Sequence, residues 1–343
     1  MDLEELEARA KELLGPGPYD YIAGGAGAET TLADNEAAWG RLRLRPRVLR
    51  DVAKVSTTTT LLGTELPSPI GVAPSAFHRV AHPDGETATA RGSAQAGALY
   101  VVSSRASMRP AEVAAAAPEA PRWFQVYVWA ERSITTDLVA EAASSGYQAL
   151  VLTGDTPVLG SRLRDARNAF TLPADVYQPY EPLSERTNYL GPAQDPSVTF
   201  DDIAWLRELS GLPVIVKGVL RGDDAVRCVQ AGAAGVMVSN HGGRQLDGAI
   251  ATADALGEVA EAVGASAEVY VDGGVRSGVD VLRALALGAR AVLVARPVVW
   301  GLATGGTDGV RDVLASLHTD LVLAMRLCGA PTLADCSADL IAR

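Results

Sequence analysis

With 343 residues, 48% of them hydrophobic but only 5% aromatic, and 34 glycines, the chain can build a sizeable aliphatic core with many tight turns. A formal charge of −11 argues against a nucleic-acid or anionic-membrane surface, so any anionic ligand must be held by a few local cations. Three cysteines, Cys228, Cys328 and Cys336, contain no CxxC pair; they suggest neither a disulfide framework nor a structural zinc site and fit a reducing cytoplasm.

The first residues, MDLEELEARAKELL, read as an acidic amphipathic helix without the basic and apolar regions of a signal peptide. No apolar run reaches the roughly eighteen residues of a membrane span, so a soluble protein is expected. Residues before 68 are expected to form a helical cap. Eight short apolar runs follow: PIGVAPS (69–75), LYVVSS (99–104), WFQVYV (123–128), ALVLTGD (149–155), PVIVKGV (213–219), GVMVSNH (235–241), EVYVDGG (268–274) and AVLVARP (291–297). Each begins apolar and ends polar. Helix-like segments such as 83–97, 222–233 and 277–289 lie between them, several closing on glycine.

Continuous apolar strands alternating with helices imply a parallel sheet buried on both faces, and eight such units close a barrel. The expected fold is therefore α/β, a single (β/α)8 TIM barrel. The whole chain, 1–343, is read as one domain, with a cap at 1–67, the barrel at 68–305 and a C-terminal helix and tail at 306–343. A long polar, Pro-rich loop after the fourth strand, 171–198, is expected to act as a lid or to be disordered.

Barrel active sites are built at strand C-termini, so the polar endings can be read together. They include Ser75, Ser103, Ser104, Gln125, Tyr127, Thr153, Asp155, Lys217, Ser239, Asn240, His241, Asp272 and Arg296, with Arg162, Arg244 and Arg276 just beyond. A lysine ending PVIVKGV is costly to bury unless it meets an anion or polar ligand. No GxGxxG sits between a strand and a helix, so a nicotinamide cofactor is not expected, and no carboxylate–histidine set shows metal-ligand spacing.

The segment SNHGGRQLDG (239–248) is the most specific motif. YDYIAGGAGAETTLADN (19–35), IGVAPSA (70–76), AHPDGE (81–86), LTGDTPVLGSRLRDARN (152–168), VKG (216–218) and DGGVRSGVDVLRALALGA (272–289) accompany it. From about residue 5 to 335 the chain resembles the FMN-dependent alpha-hydroxy acid oxidases and dehydrogenases, the family of glycolate oxidase, lactate oxidase, mandelate dehydrogenase and the flavin domain of flavocytochrome b2.

That resemblance implies FMN as cofactor and oxidation of an L-2-hydroxy acid to the 2-oxo acid. His241 would be the base and Asp155 its partner; Tyr127 would bond the substrate oxygen. Arg162 and Arg244, aided by Tyr21, would hold the carboxylate. Ala73, Pro74, Ser75, Ser103, Gln125, Thr153 and Ser239 would line the flavin ring, with Lys217 near its anionic edge. Asp272, Gly273, Gly274, Arg276, Ala295 and Arg296 would grip the ribityl phosphate. The family also suggests a homotetramer and reoxidation by oxygen, the alternative being a dehydrogenase with a quinone or protein acceptor for aryl or larger substrates.

Three positions depart from the common pattern: Gly154, Ala295 and Arg105, the last where glycolate oxidases carry a large aromatic. Arg105 follows strand two, where the substrate side chain should point. It is expected either to meet a second anionic or aryl group or to swing into solvent.

Overall fold

A computed structural model describes residues 1–180 and 194–342; residues 181–193, which make up much of the expected lid, lie outside the described residues. Among the described residues, ten strands run β1 Thr59–Leu61, β2 Thr64–Leu66, β3 Ile70–Val72, β4 Tyr100–Ser103, β5 Arg122–Val126, β6 Leu150–Thr153, β7 Val214–Val219, β8 Gly235–Val238, β9 Glu268–Val271 and β10 Ala291–Val294. The last eight pair in parallel, in the order β10-β3-β4-β5-β6-β7-β8-β9, and close on themselves. The expected (β/α)8 barrel is thus present, with all eight apolar runs supplying its strands.

Alternation along those strands makes two cores. Leu99, Val101, Trp123, Val151, Ile215, Met237, Tyr270 and Leu293 fill the inside of the barrel. Their neighbours, including Val102, Phe124, Leu152, Val216, Val238 and Val292, face the helices. Leading helices are α1 Leu3–Leu14, α2 Pro16–Ala23 and α3 Thr30–Arg41. The outer ring holds α4 Gly85–Gln95, α5 Pro110–Ala116, α6 Arg132–Ser144, α8 Asp201–Ser210, α9 Gly222–Gln230, α10 Thr252–Val263, α11 Gly278–Ala286 and α12 Arg296–Cys328, while the short α7 Leu163–Arg167, in the loop after β6, packs on α2. Local chemistry sets their ends: Asp2 accepts from the Glu4 and Glu5 N–H groups to start α1, and Ser277 and Asp280 form a reciprocal cap on α11.

One feature corrects the expected outline. The cap is not wholly helical, because β1 and β2 form an antiparallel hairpin whose Leu61 and Leu66 join the barrel-interior core. Its two-residue turn, Leu62–Gly63, has φ of 45° and 84°, the positive pair that a tight hairpin requires. At Gly306 (φ 55°, ψ −132°), the expected boundary between barrel and C-terminal helix, α12 breaks into two arms; short 3-10 turns follow it.

The cap is bolted to the C-terminal end of the barrel. Asn35 on α3 and Asn240 after β8 exchange side-chain amide bonds of 2.8 and 2.7 Å, and Trp39 Nε1 donates to the Gly273 carbonyl at 2.9 Å. Tyr21 and Ile22 are thereby held against the mouth of the cylinder.

Candidate active site

A cleft of about 1280 Å³, counting its open mouth, lies at the strand C-termini. Ala73, Pro74, Ser75, Ser103, Gln125, Tyr127, Thr153, Lys217, His241 and Asp272 line it, as do Gly273, Gly274, Arg276, Ala295 and Arg296. Tyr21, Arg105, Arg162 and Arg244 complete the expected set. Two expected residues stand behind the wall instead: Asp155 backs His241, and Ser239, fully buried, accepts from Lys217 Nζ at 2.9 Å and from the His241 N–H at 3.1 Å. Ser239 therefore positions two lining groups rather than facing the cleft.

The motif after β8 is explained almost residue by residue. Asn240 ties the turn to α3 and caps Gly243 N, while His241 adopts φ 60°, a strained conformation for a residue with a side chain. A Cβ on Gly243 would lie 2.7 Å from the Leu32 backbone, so only glycine lets α3 approach. Gln245 Nε2 donates to the Asp155 and Val158 carbonyls, and its Oε1 accepts from Gly160 N. Asp247 accepts from Ala28 N and Thr31 N, capping the start of α3 from a distant loop; these backbone donors lower its pKa.

His241 Nδ1 lies 3.0 Å from Asp155 Oδ1, and Thr156 Oγ1 donates to the same oxygen at 3.1 Å. A carboxylate can only accept, so Nδ1 carries hydrogen and Nε2 presents a lone pair 3.3 Å from the Tyr127 hydroxyl. Burial pulls the His241 pKa below its ordinary value; Asp155 opposes the shift while Lys217 and Arg162 reinforce it. The ring is thus neutral and ready to accept a proton. Burial alone would raise the Asp155 pKa, but His241 and Lys217 outweigh it and keep the carboxyl low. Tyr127 is held well protonated, mainly by burial.

Positive charge dominates the remaining walls. Arg244 lies over the Tyr21 ring at 5.4 Å and donates to the Gly24 carbonyl at 2.7 Å. Burial, with Arg162 and Arg296 nearby, draws its pKa down to about 9; burial and Arg276 draw Arg296 to about 10. Arg162 Nε is buried with no hydrogen-bond partner among the described residues. Such crowded cations call for anions. Lys217, by contrast, is offset: burial disfavours its charge, but Asp272 at 3.3 Å, Asp155 and Tyr127 together raise its pKa.

Arg105 does not swing into solvent. It is 7% exposed and lies over Trp129 at 4.6 Å and Tyr127 at 5.5 Å, two ring faces that hold its guanidinium in the cleft wall. Phe77 and Leu159 line that wall as well, whereas Val158 is largely exposed. Sequence reasoning missed Ile22, Leu159, the buried Asp165 near Arg162 and Arg244, and His78 behind Ser75. The last was legible only as a histidine three residues beyond a strand-end serine.

The family model for FMN-dependent dehydrogenases matches residues 10–343. The chain belongs to this family. Human 2-hydroxyacid oxidase 1 is 47% identical over 341 residues, covering 95% of this chain and 92% of its own. L-lactate oxidase from Nostoc sp. is 46% identical over 350 residues, covering 98% and 96%. A solved mandelate oxidase with (S)-2-phenylpropionate superposes with a TM-score of 0.90 at 41% identity, over 99% of this chain and 97% of that one.

FMN is therefore the cofactor, and the residues present fit it. Asp272 Oδ1 is buried without a hydrogen-bond partner among the described residues, a demand that ribityl hydroxyl donors meet. Gly273 and Gly274, at φ 94° and 78°, give a side-chain-free turn beside Arg276 and Arg296, as a phosphate grip needs. Gln125 is pinned by Ser103 Oγ and Ser104 N on its oxygen and by Thr153 on its nitrogen, which fixes the polar pattern offered to a flat ring.

Proposed function

We propose that this FMN-dependent family member oxidises an (S)-2-hydroxy acid to the 2-oxo acid and returns its electrons to oxygen. The observation that carries the reading is the convergence of His241 Nε2, the Tyr127 hydroxyl and two charge-hungry guanidiniums on one cleft. FMN, when bound, supplies the two-electron acceptor. Arg162 and Arg244 hold the substrate carboxylate with planar, bidentate-capable groups. Tyr127 donates to the oxygen on the reacting carbon, and His241 Nε2 accepts a proton from the substrate. Asp155 stabilises the imidazolium so formed and keeps the ring from turning. Loss of two electrons and two protons converts the alcohol carbon to a ketone, and fixed geometry with preorganised charge lowers that barrier.

Anaerobic mixing of the purified yellow protein with a panel of L- and D-2-hydroxy acids tests this. Bleaching of the flavin by L-acids, then rapid recolouring when oxygen is admitted, is expected. No bleaching by any acid would refute it, and slow recolouring with oxygen but fast recolouring with a quinone would favour the dehydrogenase alternative.

Arg105 favours substrates larger than glycolate. A guanidinium fixed on Trp129 and Tyr127 offers an aryl ring a stacking surface and a second carboxylate a partner. Arg105→Ala is expected to change the ranking of kcat/KM across aliphatic, aryl and dicarboxylic acids; an unchanged ranking removes this reading. The three cysteines are free and buried, which supports the cytoplasm as the site of action. Exposed Val48, Leu49, Leu323 and Leu327 support self-association, in our reading as a tetramer of single-domain chains, and light scattering of the holoenzyme measures it.

A further inference from the structure

Behind Ser75 stands a histidine that the mechanism above does not use. Ser75 Oγ, in the cleft wall, lies 2.7 Å from His78 Nε2, and His78 Nδ1 lies 2.8 Å from Thr89 Oγ1 on α4. His78 is 1% exposed and its ring stacks on Tyr100 at 6.0 Å. Glu86 is engaged elsewhere: its oxygens accept from the His78 and Ser107 N–H groups and from Ser107 Oγ. Burial lowers the imidazole pKa, so the ring is neutral, with one N–H and one bare nitrogen.

Thr89 decides which nitrogen is which. Its hydroxyl donates to the Gly85 carbonyl one helical turn back, at 3.4 Å, so its oxygen turns lone pairs toward His78. Nδ1 then keeps the hydrogen and Nε2 has none. The Ser75 hydroxyl must give its only hydrogen to Nε2, leaving its oxygen with nothing but lone pairs to offer the cleft.

We propose that His78 is a positioning residue whose Nδ1–H tautomer locks Ser75 as a pure hydrogen-bond acceptor toward the FMN ring. This rests on FMN occupying the cleft, not on which acid is oxidised. Reduced flavin carries more N–H groups than oxidised flavin, so a fixed acceptor favours the reduced form and raises the potential.

Nitrogen-15 NMR of histidine-labelled holoenzyme tests the tautomer directly, because the chain has only four histidines and loss of one signal set in His78→Gln assigns the residue. A protonated Nδ1 with a bare Nε2 is expected; a proton on Nε2 overturns the proposal. Potentiometry supplies the second readout. Ser75→Ala and His78→Met are expected to cut the preference for reduced over oxidised FMN about tenfold, roughly 30 mV for a two-electron couple. His78→Gln, which can present an amide oxygen to Ser75, restores most of it. An unshifted potential in a folded His78→Met also overturns the proposal, whereas a colourless parent protein would instead refute the FMN assignment itself.

Discussion

His241 carries the chemistry because its two nitrogens are tied to different partners. Asp155 takes the Nδ1 hydrogen at 3.0 Å, while Nε2 faces the cleft beside Tyr127. The acid limb of kcat/KM for the free enzyme should therefore fall below the ordinary histidine value, since burial lowers that pKa and only the neutral ring accepts a proton. Asp155 pushes the other way, by favouring the imidazolium. In Asp155→Asn the acid limb should consequently move to still lower pH, while kcat falls by about 10²–10⁴ because the ring loses its fixed tautomer and its counter-charge. A limb that moves to higher pH, or a rate within a few-fold of the parent, would contradict this account. His241→Ala should keep bound FMN yet lose substrate reduction by several orders of magnitude, read by anaerobic stopped flow.

At the scale of elements, glycine decides where two backbones can touch. The break of α12 at Gly306 folds the chain back so that Gly301 and Gly309 meet; a Cβ on Gly309 would stand 1.9 Å from the Gly301 carbonyl. Backbone cannot yield as a flexible side chain does. Gly309→Ala is therefore expected to cost about 1–3 kcal/mol, seen as a lower Tm, with the flavin spectrum of the folded fraction unchanged. A Tm equal to the parent's would show that the two arms can part without loss. Gly274, at φ 78°, presses on the Asn35 carbonyl in the same way, but there the contact joins the cap to the phosphate turn, so the same change should weaken FMN binding as well.

Over the whole molecule, the cleft gathers barrel cations, among them Arg105, Arg162, Lys217, Arg244 and Arg296, under a cap that adds Tyr21 and Ile22, so an anionic cofactor and the fold support each other. Stripping FMN should lower Tm, and restoring it at 1,000 times its Kd should return about 4 kcal/mol; a Tm indifferent to FMN would mean that the cleft is rigid without it. The barrel was legible because its strands are continuous apolar runs with polar ends, a pattern imposed by burial on both faces. Polar strand ends likewise marked part of the lining, such as Ser75, Gln125, Lys217 and His241, whereas Tyr21, Ala73, Pro74 and Ala295 were legible only through the family resemblance. Other features depended on distant partners. The β1–β2 hairpin is made of strands too short to show a period, and only its Leu62–Gly63 turn hinted at it. Ser239 looks like a lining serine until Lys217 and the His241 amide are seen to claim it. The burial of Arg105 depends on Trp129, twenty-four positions along the chain, which nothing local could announce.

The exchanged amides of Asn35 and Asn240 join positions 205 residues apart. At a synthesis rate of about 5–20 residues per second, the ribosome delivers the second asparagine roughly 10–40 s after the first. For that interval the leading helices wait without the partner that fastens them. The redox mouth is consequently among the last parts to close, and a nascent half-barrel has no assembled centre with which to leak electrons to oxygen.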